Sequence, residues 1–254
     1  MAAQRNVLVM VAMEEEAQYL KPYLQNPTEV TLRGIPYAVL RGTIKGVQVD
    51  IVVSGIGAVY AASATSAALL QTTPDCVLSV GCSGAHQPGQ GVGDVVLGSE
   101  VVPLDPVVVE RAGASRLSGV RCSMTEKATM SWACDEKLTG VALEAARRVL
   151  GPGPKIEVGR IGSSDAWRQS PDLITKIATA HGTLCEEMEA HAVAQVCHTF
   201  GIPFIAIKDI ANSELEPTGV QLEPEHHVVP DEVQVGLNAA KVAAETIQAL
   251  SAAA

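Results

Sequence analysis

Aromatic side chains are nearly missing from this chain: they make up 3% of its 254 residues, although hydrophobic residues reach 47%. The core must therefore be built from Val, Ile, Leu and Ala, which suits a sheet covered by helices on both faces. Cationic residues are also short, with 18 Lys and Arg against 28 Asp and Glu and a net charge of -10. Phosphate-backbone binding draws on clustered Lys and Arg, so neither DNA nor RNA is expected as a partner. No Cys-x-x-Cys pair occurs among Cys76, Cys82, Cys122, Cys134, Cys185 and Cys197. Reduced structural thiols in a cytosolic protein are expected, not disulfides or a zinc site. No apolar run is long enough to span a bilayer, so no membrane partner is expected. The run Val7–Met13 follows a single Arg5 and enters three glutamates without a small-residue cleavage site, which reads as a first buried strand and not as a signal peptide.

What is present is an alternation. Strand-like runs recur at Asn6–Met13, Tyr37–Gly42, Val47–Val53, Cys76–Val80, Asp94–Val102, Ile156–Ile161 and Pro203–Ile207. Alanine-rich helical patterns stand between several of them, at Ala58–Leu70, Thr139–Val149 and Glu189–Thr199, and a last helix is expected from Asp231 to about Leu250. Short strands alternating with helices predict parallel βαβ units with right-handed crossovers. The expected fold is α/β: one domain over residues 1–254, a three-layer sandwich with a mixed central sheet flanked by helices. Two stretches carry neither period, Pro103–Cys134 and Ser213–Pro230, and loops of that length in a compact domain usually serve as lids, binding loops or interface arms.

Four motifs bear on chemistry. Met13-Glu-Glu-Glu16 follows the first strand, where α/β sheets place ligands and where a carboxylate can deprotonate a water. On position alone the better reading is an acidic first turn favoured by the helix dipole. Ser54-Gly-Ile-Gly57 and Gly81-Cys-Ser-Gly84 each follow an apolar run and let backbone approach a ligand, although taken singly either serves as a tight turn. Glu187-Met-Glu189 places carboxylates and a thioether where vicinal hydroxyls and an apolar sugar face would be read, or else caps the following helix. The adjacent pair His226-His227 lacks the spacing of two ligands on one metal, so no metal site is expected there.

Together these motifs resemble the nucleoside phosphorylase and nucleosidase superfamily, in particular the 5'-methylthioadenosine/S-adenosylhomocysteine nucleosidases. The resemblance covers roughly Val7–Ile210 and the C-terminal helix. It implies an N-glycosyl hydrolase of purine nucleosides that serves methionine salvage, without metal or organic cofactor, as a homodimer or larger homo-oligomer. It assigns the water-activating base to Glu16, the ribose hydroxyls to Glu189 with Glu187 beside it, sugar packing to Met188, and the ribose and base pocket to Ser83 and Gly84. Gly159-Arg-Ile-Gly-Ser-Ser-Asp-Ala-Trp167 is similar to the segment that supplies the ring stacked on the purine, so Trp167 takes that place, with the backbone of Arg168 beside the base edge.

One motif departs from the pattern. Adenine-specific relatives carry Arg/Lys-Ala-Ile-Ser-Asp, the aspartic acid protonating the base, whereas this chain reads Lys208-Asp-Ile-Ala-Asn212. Without a gap, Lys208 falls among the substrate contacts and Asn212 falls at the acid position. An amide donates one hydrogen bond and accepts another, which suits a 6-oxopurine. A shifted alignment makes Asp209 the acid instead. Two rivals remain at this point: a phosphorylase of the same fold, disfavoured because glutamates stand where arginines would hold phosphate, and a non-catalytic nucleoside-binding protein.

Overall fold

The computed structural model describes residues 5–33, 38–215 and 234–251. In chain order its elements are β1 (Asn6–Val11), α1 (Glu14–Ala17), β2 (Gln25–Thr31), β3 (Ala38–Ile44), β4 (Val47–Val53), α2 (Ala58–Leu69), β5 (Cys76–Ala85) and β6 (Val95–Pro103). There follow β7 (Val107–Val109), β8 (Ser115–Leu117), β9 (Trp132–Ala133), α3 (Glu136–Val149), β10 (Ile156–Ser163) and α4 (Pro171–His181). The last four are β11 (Thr183–Glu187), α5 (Ala190–Phe200), β12 (Phe204–Asn212) and α6 (Leu237–Ser251).

The architecture is the expected α/β one, a mixed sheet flanked by helices. Its strands run in the order β11-β10-β6-β12-β5-β1-β4-β3-β2, with β9 beside β6. β1 and β12 sit inside this order; β1 is apolar after Asn6, and β12 is apolar over Phe204–Ile207 and buried at every residue, as strands covered on both faces must be. β1 pairs in parallel with β4 and β5, and β5 pairs in parallel with β12. One contiguous core runs from Val7 on β1 to Leu250 on α6.

Two features were not expected. β11 pairs with β10 on one side and antiparallel with β5 on the other, so β5, β12, β6, β10 and β11 close on themselves and the glycine cluster at 81–84 lies inside the ring. That cluster is a continuation of β5 and not a turn, because flanking strands supply its ladder from both sides. Likewise Cys185–Glu187 belongs to β11, with Glu187 at its end, and the Lys208–Asn212 motif is strand. The irregular stretch from Pro103 to Cys134 contains the exposed β7–β8 hairpin and β9. Tyr37, His226 and His227, and the first residues of the expected last helix lie outside the described residues. Among the described residues no helix is long and apolar enough to cross a membrane.

Candidate functional site

A pocket of about 480 Å³ opens where the C-terminal ends of β1, β5, β11 and β12 meet. Glu16 enters it from α1. The chain leaves β1, passes Ala12 and Met13, and turns so that the Glu16 carboxylate folds back on its own approach: Oε2 accepts the N–H of Ala12 at 2.9 Å and of Met13 at 3.2 Å. Oε1 accepts the N–H of Cys82 at 2.9 Å. A Cβ on Gly81 would stand 2.2 Å from Oε1, so only glycine lets β5 approach this carboxylate. Cys82 itself lines the pocket, and burial, reinforced by the Glu16 charge, pushes its thiol well above the usual range, which makes it a poor nucleophile.

The acid pair of Glu187-Met-Glu189 divides into two environments. Glu187 ends β11 with its oxygens engaged by Lys208 Nζ at 3.0 Å and by the N–H groups of Glu189 and Ala190 at 2.9–3.2 Å. Burial opposes its charge, but the Lys208 ammonium and these donors outweigh burial and hold its pKa below the ordinary carboxylate value. Glu189 opens α5 and accepts the N–H of Gly57 at 2.8 Å, from a backbone that turns through φ 100°. Burial first, then the neighbouring Glu187 charge, push its pKa up to about 8. Met188 lines the pocket between them. Lys208, expected among the substrate contacts, does not line the pocket. Its ammonium is buried against Glu187, where the Glu187, Glu189 and Glu16 carboxylates overcome the cost of burial and raise its pKa. It acts behind the site, as counter-charge.

The structure separates the two candidates for the acid position. Asp209 does not line the pocket: its carboxylate accepts the N–H groups of Gly236 at 3.1 Å, Asn238 at 2.8 Å and Ala239 at 3.1 Å, at the start of α6. Burial pushes its pKa up to about 7 against the pull of these three donors. Asn212 does line the pocket. The pairing of β12 with β5 skips Ala211, Ile210 standing opposite Ser83 and Asn212 opposite Gly84, and this bulge re-aims the strand end. The Asn212 amide also reaches Glu214 Oε1 at 3.4 Å.

Of the remaining expected contacts, Ser83 and Gly84 line the pocket, the Ser83 hydroxyl donating to the Asp209 carbonyl at 3.0 Å. Trp167 lines it while 45% exposed, a ring at the mouth. Arg168 is present by its side chain as well as its backbone, its guanidinium donating to Ser164 Oγ at 2.7 Å and to Glu186. Among the described residues no cluster of three His, Cys, Asp or Glu side chains could hold a metal.

The family model of the phosphorylase superfamily matches residues 6–252. The chain belongs to this superfamily. Among curated relatives, a 5'-methylthioadenosine/S-adenosylhomocysteine nucleosidase from Anoxybacillus flavithermus is 33% identical over 213 residues, 82% of this chain and 87% of the relative. One from a Marinomonas species is 35% identical over 207 residues, 80% and 85% of the two chains. The crystal structure of the Neisseria meningitidis nucleosidase in complex with methylthio-immucillin-A superposes with a TM-score of 0.77 at 27% identity, covering 96% of this chain and 99% of that one.

Within the superfamily pocket, sequence reasoning missed Glu186, His86 and Cys82. The Gly81-Cys-Ser-Gly84 motif already held Cys82, and His86 follows it by two residues. Glu186 would have emerged had Thr183–Glu187 been read as a strand, for an acidic side chain in a strand next to that cluster has few places to go.

Proposed function

We propose that the chain, as one domain over residues 1–254, hydrolyses the N-ribosidic bond of a 5'-modified purine nucleoside, with Glu16 as the base that activates water. Glu189 accepts hydrogen bonds from the ribose 2'- and 3'-hydroxyls, Met188 packs on the sugar face, and Trp167 stacks on the purine. As the bond to C1' breaks, its electron pair leaves with the base and the ribosyl group gains cationic character. Water then adds to C1', giving its proton to Glu16. Asn212 cannot supply a proton, but it hydrogen-bonds the O6 and N7 edge on which a departing 6-oxopurine carries its charge. Glu187 and Lys208 hold Glu189 in place.

The observation that carries this reading is the fixing of two carboxylates, Glu16 and Glu189, in one pocket by backbone N–H groups from different segments. Hydrolysis is favoured over phosphorolysis by the lining: among the described residues its cationic candidates are Arg168 and His86, and Arg168 already pairs with Glu186, whereas Glu15, Glu16, Glu186, Glu187 and Glu214 would repel phosphate. The names of the relatives support a 5'-thio substituent. Glu16→Ala should abolish hydrolysis while calorimetry still records binding of a nucleoside analogue. Loss of binding and folding together would make Glu16 a structural residue and remove the proposed base.

A further inference from the structure

Backbone N–H groups of Ala12, Met13 and Cys82 hold the Glu16 carboxylate, but its methylene stem rests on a segment from the far end of the chain. A Cβ on Gly236 would stand 3.3 Å from Glu16 Cγ and 3.5 Å from Glu16 Cβ, so the turn that opens α6 passes directly against this stem. Gly236 also has φ 83°, which strains residues with a side chain, and the two conditions together call for glycine. Beside it Val235 is buried and lines the pocket, packed with Ala211, Met13 and Cys82.

A helix is usually capped by a Ser, Thr, Asp or Asn side chain just before its first turn, and here that position is Gly236. The cap comes from β12 instead: Asp209 Oδ1 accepts the N–H of Gly236 at 3.1 Å, and Oδ2 accepts those of Asn238 at 2.8 Å and Ala239 at 3.1 Å. In the register of β12 on β5, Asp209 stands opposite Cys82, whose N–H binds Glu16 Oε1 at 2.9 Å. One strand pair thus governs both the head and the stem of the Glu16 side chain. We propose that Asp209 is a positioning residue for the base: by holding Gly236 against the Glu16 stem it sets the direction in which Glu16 presents its carboxylate to the attacking water. This rests on the reading of Glu16 as the water-activating base. Proton transfer depends steeply on that direction, and a misplacement on the order of 1 Å costs roughly 100-fold in rate. An anchor that served only the stability of α6 would leave the chemical step untouched.

The test measures kcat and KM separately for base release from 5'-methylthioinosine or 5'-methylthioadenosine, whichever the wild type cleaves faster. Asp209→Ala should lower kcat by about 10- to 100-fold and leave KM within about threefold of wild type, because the sugar and base contacts lie elsewhere. Gly236→Ala keeps Asp209 and presses on the Glu16 stem, so it should reproduce the loss, and it decides the matter if Asp209→Ala does not fold. Asn238→Ala is the control: it loosens the same helix start by removing the bond from Asn238 Nδ2 to the Gly93 carbonyl at 2.8 Å, and it should keep the wild-type kcat. Wild-type kcat in Asp209→Ala or in Gly236→Ala overturns the inference. So does a parallel fall in Asp209→Ala and Asn238→Ala, which is what a merely structural helix start gives, or a rise in KM that accounts for the whole loss. Hydrolysis retained in Glu16→Ala, or base release from neither nucleoside by the wild type, would instead overturn the reading of Glu16 itself, and the inference with it.

Discussion

Glu189 is the residue whose environment makes the sharpest demand on solution behaviour. Burial and the Glu187 charge raise its pKa from 4.5 to about 8. The folded chain therefore keeps a proton that the unfolded chain releases, and the resulting stabilisation is complete below pH 4.5 and lost as pH rises through about 8. Glu187 has the opposite sign, since its lowered pKa stabilises at neutral pH and fails only as acid protonates it. Urea midpoints measured between about pH 5 and about pH 8.5 should fall more steeply for the wild type than for Glu189→Gln, which cannot titrate. Above about pH 8, where Glu189 is ionised, the same variant should lose about 2–4 kcal/mol of transition-state stabilisation in kcat/KM, because the proposed charge-assisted contact to the ribose is gone. Near-normal turnover would remove Glu189 from the sugar site.

At the scale of elements, Asp209 and Asn212 show how one strand serves two purposes. Asp209 receives three N–H groups at the start of α6, which lack partners within the helix, so it anchors that helix to β12. Asp209→Ala should lower the unfolding free energy by about 1–3 kcal/mol in denaturant titration. A variant of wild-type stability would show that α6 holds its place without this anchor. Neither assignment could be read from Lys208–Asn212 as letters, because it depends on the bulge at Ala211 and on what packs against each face. The same limit explains other differences. β1 was legible as a continuous apolar run, β12 by its apolar Phe204–Ile207, and β4 by the alternation of Val47, Val49 and Ile51 with polar residues. β2 was not, being an almost wholly exposed polar strand at the sheet edge that exists by pairing with β3. α4 carries the usual signals, with Ser170 capping, Pro171 first and Gly182 closing it, and those should have been enough. β11 mixes two glutamates with Cys and Leu, and only its position between β10 and β5 makes it a strand. Motifs that bring their own backbone context, such as Met13–Glu16 and Glu187–Glu189, were readable as candidates and line the pocket. Lys208, expected among the contacts, lies behind it against Glu187.

For the whole molecule, ring closure by β11 against β5 draws acidic and polar groups into one pocket, while apolar surface remains outside. Val59 and Tyr60 on α2, Phe200 at the end of α5, and Val107–Val109 with Met124 and Met130 in the 103–134 stretch are exposed. Soluble chains seldom leave such patches uncovered, and we propose a homodimer that buries them. Sedimentation at micromolar concentration should give about twice the chain mass of 26.5 kDa, and a monomer would contradict the assembly. Hydrolysis and phosphorolysis differ in what adds to C1' as the N-ribosidic bond breaks. Release of free base and free sugar from 5'-methylthioinosine and 5'-methylthioadenosine, followed with and without inorganic phosphate, separates them. Base release should proceed at a rate independent of phosphate, with a reducing pentose as the second product. A requirement for phosphate, with 5-methylthioribose 1-phosphate as the product, would make the chain a phosphorylase, and binding without release of base would make it no catalyst at all.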